Sequence, residues 1–244
     1  MTKPAGPALY LRPHPSEYRW RALPMFLSQG VAVVLNAWFT GTFEMPVASG
    51  AGFAAVVLAA AGLWFRVWGT GQISTATMMS MTVSTDRLVT TGIYGLVRNP
   101  LYLCDLLIFG GYALFLYPPL GLAFFLFHVL RTLRLIAFEE SRLSAQYGAV
   151  FDEYRRRVPK LVPRLAAPPP AVVDWFEGLA ASTIWAGFAA GFVAVWLARD
   201  VWAITPFETA GFVFAAFYFT RVRRLPQRAV DVNVSKLPGG PGLR

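Results

Sequence analysis

Leu88-Val-Thr-Thr-Gly-Ile-Tyr-Gly-Leu-Val-Arg-Asn-Pro-Leu-Tyr-Leu-Cys-Asp105 is a polar, sharply punctuated segment set between two long apolar ones. Pro100 disfavours the αR conformation at Asn99 and itself suits the first helical position, so Asn99-Pro100 reads as an N-cap followed by an apolar helix. The first N–H groups of such a helix lack intrahelical partners, and its dipole end is positive. Arg98 adds a full charge beside them, and the combination suits a carboxylate or phosphate. An anion site at the head of an apolar span belongs at a membrane surface.

Hydrophobic residues make up 56% of the 244-residue chain and charged residues only 14%, with a mean hydropathy of +0.49. These values lie outside the soluble globular range and imply a polytopic, all-helical membrane protein. The formal charge of +9 is spread over segments that flank apolar runs, which is the distribution of topology signals and not of a nucleic-acid-binding face. Cys104 is the single cysteine, so no intrachain disulfide can form. The basic N-terminal arm has no small-residue cleavage site after its apolar run and reads as a retained segment.

In chain order the expectation is a cytoplasmic arm over residues 1–22, a core over 23–165, a Pro-rich linker over 166–177, a transmembrane hairpin over 178–220 and a basic, disordered tail over 221–244. Six spans are expected: Leu23 to Phe43, Ala48 to Trp68, Leu101 to Tyr117, Leu120 to Phe138, Leu179 to Leu197 and Val201 to Thr220. Glycine and alanine recur through the second, where they would let a neighbour pack closely. The Ser-, Thr- and Met-rich stretch from Gly69 to Asn99 should fold over or into the cytoplasmic mouth. Glu139 to Arg157 reads as an amphipathic surface helix, because Leu143, Tyr147, Val150, Tyr154 and Val158 recur at helical spacing. In this topology 21 of the 22 Lys and Arg residues lie on one side and Arg199 alone on the other. The positive-inside rule then puts both termini and the polar segment in the cytoplasm, as in an integral protein of the bacterial inner membrane or its equivalent.

The pattern Leu88-Val89-x-x-Gly92-x-Tyr94-x-x-x-Arg98-Asn99-Pro100-x-Tyr102 is followed by Glu139-Glu140-x-x-Leu143-x-x-x-Tyr147-Gly148. These two spaced motifs resemble the isoprenylcysteine carboxyl methyltransferase family, part of a wider group of membrane methyltransferases that includes the phospholipid methyltransferases. The resemblance covers Arg66 to Pro163. It departs from the pattern at Asn99, where His is usual, at Cys104, where Gly is common, and at Leu135, where an Arg often sits. It implies an S-adenosylmethionine-dependent methyltransferase acting on a lipophilic or small acceptor. Leu88, Val89, Tyr94, Asn99, Pro100, Leu101 and Tyr102 would line the cofactor, and Glu139 would meet its ammonium or ribose hydroxyls. Arg98 would orient an anionic group, Glu140 would stand behind Glu139 or on the substrate side, and Glu140 and Asp105 would be the candidate bases for an amine, phenol or thiol acceptor.

Two rivals follow from the same residues. Sterol-reductase-like membrane enzymes, which use NADPH, share an Arg-His-Pro-x-Tyr type of helix start, with Asp105 near an acidic position of theirs. A non-catalytic scaffold of the same fold would explain Asn99 and Cys104 as marks of a decayed pocket. Within the fourth span, His128, Arg131 and Arg134 are ionisable groups expected to face the bundle or a wet cavity. Asp105 should lie at similar depth, either in a structural ion pair with Arg131 or Arg134 or with a role in the pocket. His128 reads as a hydrogen-bonded bundle histidine; the other histidine, His14, lies in the arm, so no histidine pair for a metal is expected.

Overall fold

The computed structural model describes residues 15–73 and 88–222. The expected tail beyond residue 222, most of the N-terminal arm and the central part of the Ser/Thr/Met-rich stretch lie outside these described residues; the first two residues of that tail end the last helix instead. Helices α1 (Pro15–Arg19), α2 (Leu23–Thr40) and α3 (Ser49–Ile73) are followed by a 3-10 turn at Gly92–Gly95. Then come α4 (Pro100–Ala113), α5 (Pro118–Tyr147), α6 (Ala149–Arg157), α7 (Trp175–Ala181), α8 (Thr183–Ala198) and, after a 3-10 turn at Val201–Ile204, α9 (Thr205–Val222). Among the described residues the only β pairing is an isolated bridge between Pro46 and Asp200, which ties the α2–α3 loop to the α8–α9 loop.

The all-helical class expected from composition is what the chain adopts, with four or five candidate spans among the described residues beside the six expected. Among the described residues, four segments are long and apolar enough to cross a membrane alone: α2, α3, α5 and Val201–Arg221. A fifth arises if α7 and α8 are counted as one span, bent by 70° at Ser182. Ser182 is fully buried and its hydroxyl donates to the Gly178 carbonyl at 2.6 Å. Helix α4 has 14 residues, about 21 Å at 1.5 Å per residue and short of a hydrocarbon core of about 30 Å. Its beginning lines a protein cavity, where irregular backbone above it can be satisfied without water.

Glu139 also departs from expectation. It does not begin a surface helix, because α5 runs unbroken through it to Tyr147. The break falls at Gly148, whose φ of 49° and ψ of −123° are accessible to glycine at little cost. Only Ala149–Arg157 forms the separate amphipathic helix, burying Phe151 and Tyr154.

Small residues set the packing. Gly52, Ala55, Ala59, Gly62, Arg66 and Gly69 form the buried stripe of α3, at alternating spacings of three and four. A Cβ on Gly62 would come within 3.2 Å of the Cys104 carbonyl, and one on Gly69 within 3.2 Å of the Pro100 ring. Helices α3 and α4 therefore meet almost backbone to backbone, as small residues permit in a bilayer. Outward faces are apolar: Val34, Trp38, Leu122, Leu130, Val213 and Phe217 are all exposed. That surface suits lipid and not water.

Residues 159–174 run as a strap across the outside of the polar segment. Arg98 N–H donates to the Pro159 carbonyl, Arg164 N–H to Leu96, Gly92 N–H to Pro169, and Asp174 N–H to Gly71, each at 2.9–3.0 Å. The Pro-rich linker is thus fastened to the core.

Candidate active site

Gly92 opens the polar segment with a φ of 56°. A side chain there would collide with the Gln72 amide, which accepts from Ile93 N–H at 3.0 Å and donates to the Thr91 carbonyl at 3.3 Å. The tight turn presents Tyr94 inward. Its hydroxyl approaches the Gly69 carbonyl at 3.4 Å, and Tyr154 of α6 donates to the Tyr94 carbonyl at 2.7 Å. Burial pushes both phenols above their ordinary pKa, so they remain neutral donors across physiological pH.

Asn99 occupies the N-cap position of α4 and Pro100 the first helical one, as the sequence implies, but the Asn99 side chain makes no cap hydrogen bond. It turns away, donating to Glu140 at 3.3 Å and to the Lys160 carbonyl at 3.1 Å. Arg98 follows the same course, meeting Glu140 at 3.0 Å and the carbonyls of Arg155 and Val158 at 2.6 and 2.9 Å. The helix start keeps its leading N–H groups unpaired by a side-chain cap, a donor set open to an anion.

Tyr102 projects from α4 toward α5 and donates to Glu139 at 2.8 Å. The two motifs therefore touch. Tyr18 of α1 also lies against Glu139, and burial with that carboxylate raises its phenol pKa. Beside these residues lies a cavity of about 440 Å³, within the range of about 300–1,000 Å³ usual for small-molecule sites. Its wall includes Leu88, Val89, Tyr94, Arg98, Asn99, Pro100, Leu101, Tyr102 and Glu139. Glu140 is not part of that wall; adjacent residues on a helix point about 100° apart, and it serves as the partner of Arg98 and Asn99.

Asp105 does not pair as the hairpin argument expects. Its Oδ1 accepts from Arg66 at 3.2 Å and from the Trp185 indole N–H at 2.8 Å. The Arg66 guanidinium lies 3.7 Å over the Trp185 ring. The reason is the α3–α4 contact: Gly62 brings α3 against Cys104, so Arg66, one turn on, reaches Asp105 before any residue of α5 does. Arg134 instead pairs with Glu17 at 2.6 Å, holding α1 over α5, while Arg131 donates to the Arg21 carbonyl at 3.0 Å. His128 is fully buried, hydrogen-bonded to Ser28 at 3.0 Å and stacked on Phe109 at 3.9 Å between centroids.

Arg66, Trp185, Arg21 and Tyr18 line the cavity although the motifs do not contain them. Arg66 had a signal, a charge within an alanine- and glycine-rich span. Trp185 had none, since its role depends on the bend at Ser182. Among the described residues no group of three His, Cys, Asp or Glu side chains could hold a metal ion.

The model of the phospholipid methyltransferase family matches residues 51–150, from the start of α3 into α6. The chain is 32% identical over 155 residues to the cobalt-zinc-cadmium resistance protein CzcN of Cupriavidus metallidurans, covering 60% of this chain and 63% of that protein. It is 41% identical over 78 residues to methanethiol S-methyltransferase 2 of Bradyrhizobium diazoefficiens, covering 31% and 28%. A nickel-cobalt-cadmium resistance protein, NccN, of Alcaligenes xylosoxydans xylosoxydans is 32% identical over 148 residues, 56% of this chain and 62% of that one. The chain thus spans less than two thirds of each relative. No solved structure matches.

Proposed function

From a chain whose residues 51–150 belong to the phospholipid methyltransferase family, we propose an integral membrane methyltransferase that uses S-adenosylmethionine. The acceptor is a small or lipophilic molecule, met at the cytoplasmic face. The observation that carries this reading is the meeting of Tyr102 and Glu139 on the wall of one cavity beside the open start of α4.

The donor set fits the cofactor. The α4 N-terminus suits its carboxylate, Glu139 suits its ammonium or ribose hydroxyls, and the Tyr94 and Tyr102 rings suit a sulfonium. When bound, the cofactor supplies an activated methyl group. The chain's own residues position and enclose. Tyr102 fixes the Glu139 carboxylate. Arg98 carries positive charge to the rim, and Glu140 acts through it, holding the guanidinium in place together with the Arg155 and Val158 carbonyls. Apolar Leu88, Val89, Leu101 and Leu135 exclude water from the wall.

Calorimetry of S-adenosylhomocysteine binding to the protein in lipid nanodiscs tests the reading. Saturable binding is expected, at least tenfold weaker in Glu139→Ala. Labelled S-adenosylmethionine incubated with membrane extract should then yield a methylated product. No binding by the folded protein, or full methyl transfer by both Tyr94→Ala and Glu139→Ala, would overturn it.

A further inference from the structure

Helix α1 lies outside residues 51–150, the part of the chain that the family model matches, yet it builds one wall of the cavity beside Glu139. Tyr18, Arg19, Arg21 and Ala22, from α1 and the turn after it, all line that wall. Tyr18 is 5% exposed, and its hydroxyl donates to the Glu139 carboxylate, which also accepts from Tyr102 at 2.8 Å. Glu139 is thus held between two phenols, one from α4 and one from α1.

The attachment of α1 is unlike that of the other walls. Glu17 pairs with Arg134 at 2.6 Å, and their side chains are 41% and 32% exposed. A pair this open to water favours a closed contact by about fivefold at most. The Tyr18 ring lies 5.5 Å from that of Phe138, and the Arg21 guanidinium stands 4.4 Å from its centroid. The Arg21 carbonyl accepts from Arg131 at 3.0 Å, which pins the turn between α1 and α2. Helices α3 and α4, by contrast, meet almost backbone to backbone. Swinging α1 out about Arg21 breaks the Glu17 pair and uncovers the Tyr18 ring, and it leaves the packing of α3 on α4 intact. With α1 seated, the Tyr18 side chain covers Glu139, the carboxylate that the ligand has to meet.

We propose that α1 is a latched cover on the ligand cavity. Tyr18 is a positioning residue that fixes the Glu139 carboxylate when the cover is shut, and the Glu17–Arg134 pair sets how often the cover opens to exchange ligand. The purpose of the cover rests on the methyltransferase reading; its motion does not.

The test uses the full-length protein in lipid nanodiscs, with Glu17→Arg, Arg134→Glu and the two changes combined. Opening is read without ligand from a thiol placed on the cavity wall by Leu135→Cys, a position 2% exposed, timing its reaction with hydroxyethyl methanethiosulfonate. Protein lacking Leu135→Cys supplies the background from Cys104, which is fully buried. Each single reversal should speed labelling by about threefold or more, because it sets like charges against each other. The combined exchange restores opposite charges and should bring labelling back to within about twofold of the parent. S-adenosylhomocysteine dissociation, followed by surface plasmon resonance, should quicken in the same singles and recover in the same combination. Melting temperature should stay near that of the parent, which separates an opened cover from a lost fold. Tyr18→Phe keeps the ring but loses the bond to Glu139, and should weaken S-adenosylhomocysteine binding by about threefold or more. Unchanged labelling in both singles overturns the cover, as does a combined exchange that fails to restore it. Faster labelling with unchanged dissociation overturns its role in holding ligand, and unchanged affinity in Tyr18→Phe overturns the role of Tyr18. If the folded parent binds no S-adenosylhomocysteine, the methyltransferase reading falls, and the labelling series still decides the cover.

Discussion

Among the residues of the cavity wall, some hold the fold and others are placed to meet a ligand. Arg66 and Asp105 have side chains 8% exposed each and are 3.2 Å apart, so removing one strands a buried charge. Arg66→Met should lower stability by about 3–5 kcal/mol, whereas Arg66→Met combined with Asp105→Leu should recover most of that loss; thermal unfolding in detergent with a fluorescent reporter compares them. Tyr102 and Glu139 sit on the other side of the division. Glu139→Gln keeps the shape and a hydrogen bond to Tyr102 but removes the charge, at a cost of about 1.5–3 kcal/mol in any interaction with a cationic ligand. S-adenosylhomocysteine affinity should fall about tenfold to a hundredfold, with melting temperature nearly unchanged, and calorimetry alongside unfolding separates the two effects. Of the site residues, Asn99 and Pro100 were legible in sequence as a helix start with Arg98 beside it, whereas Leu88, Val89, Tyr94, Tyr102 and Glu139 were singled out by the family resemblance. Glu140 was legible as a carboxylate but not as the partner of Arg98, since its direction depends on how α5 is rotated.

At the scale of the helices, glycine decides how closely they approach. A Cβ on Gly187 would stand 2.6 Å from the Phe207 carbonyl, and one on Gly211 2.8 Å from the Thr183 carbonyl. Backbone cannot swing aside as a side chain can. Gly187→Ala should therefore push α8 from α9, costing about 1–3 kcal/mol, and because Trp185 lies on the same helix it should also weaken ligand binding in the cavity. Gly30→Ala is the control: nothing lies within 4 Å of its added methyl, so its melting curve should superimpose on that of the wild type or move slightly upward. The two melting curves, measured in one detergent, check the pair. The same close packing explains why the short helix α4 can stand as a membrane element at all, held along α3 and capped by the strap over residues 159–174.

For the whole molecule, the charge distribution carries a prediction about orientation. Lys160 lies 4.0 Å from Glu140 with its side chain 42% exposed, and Thr42 is exposed in the α2–α3 loop. If the positive-inside rule governs, Lys160→Cys should react with a membrane-impermeant maleimide only in inverted vesicles and Thr42→Cys only in right-side-out ones. Cys104 is fully buried and should give no background. The reverse pattern would place the cavity mouth on the opposite side.

Sequence alone determined the helical class and the membrane-suited apolar spans, because hydrophobic length is a local property that a chain displays residue by residue; the pairing of the two motifs came from the family resemblance. It did not determine the number of full spans, the unbroken course of α5 through Glu139 or the partner of Asp105. Those depend on azimuth and on inter-helix distance, which no local pattern encodes: Gly62 brings α3 to α4, and Arg66 then claims Asp105.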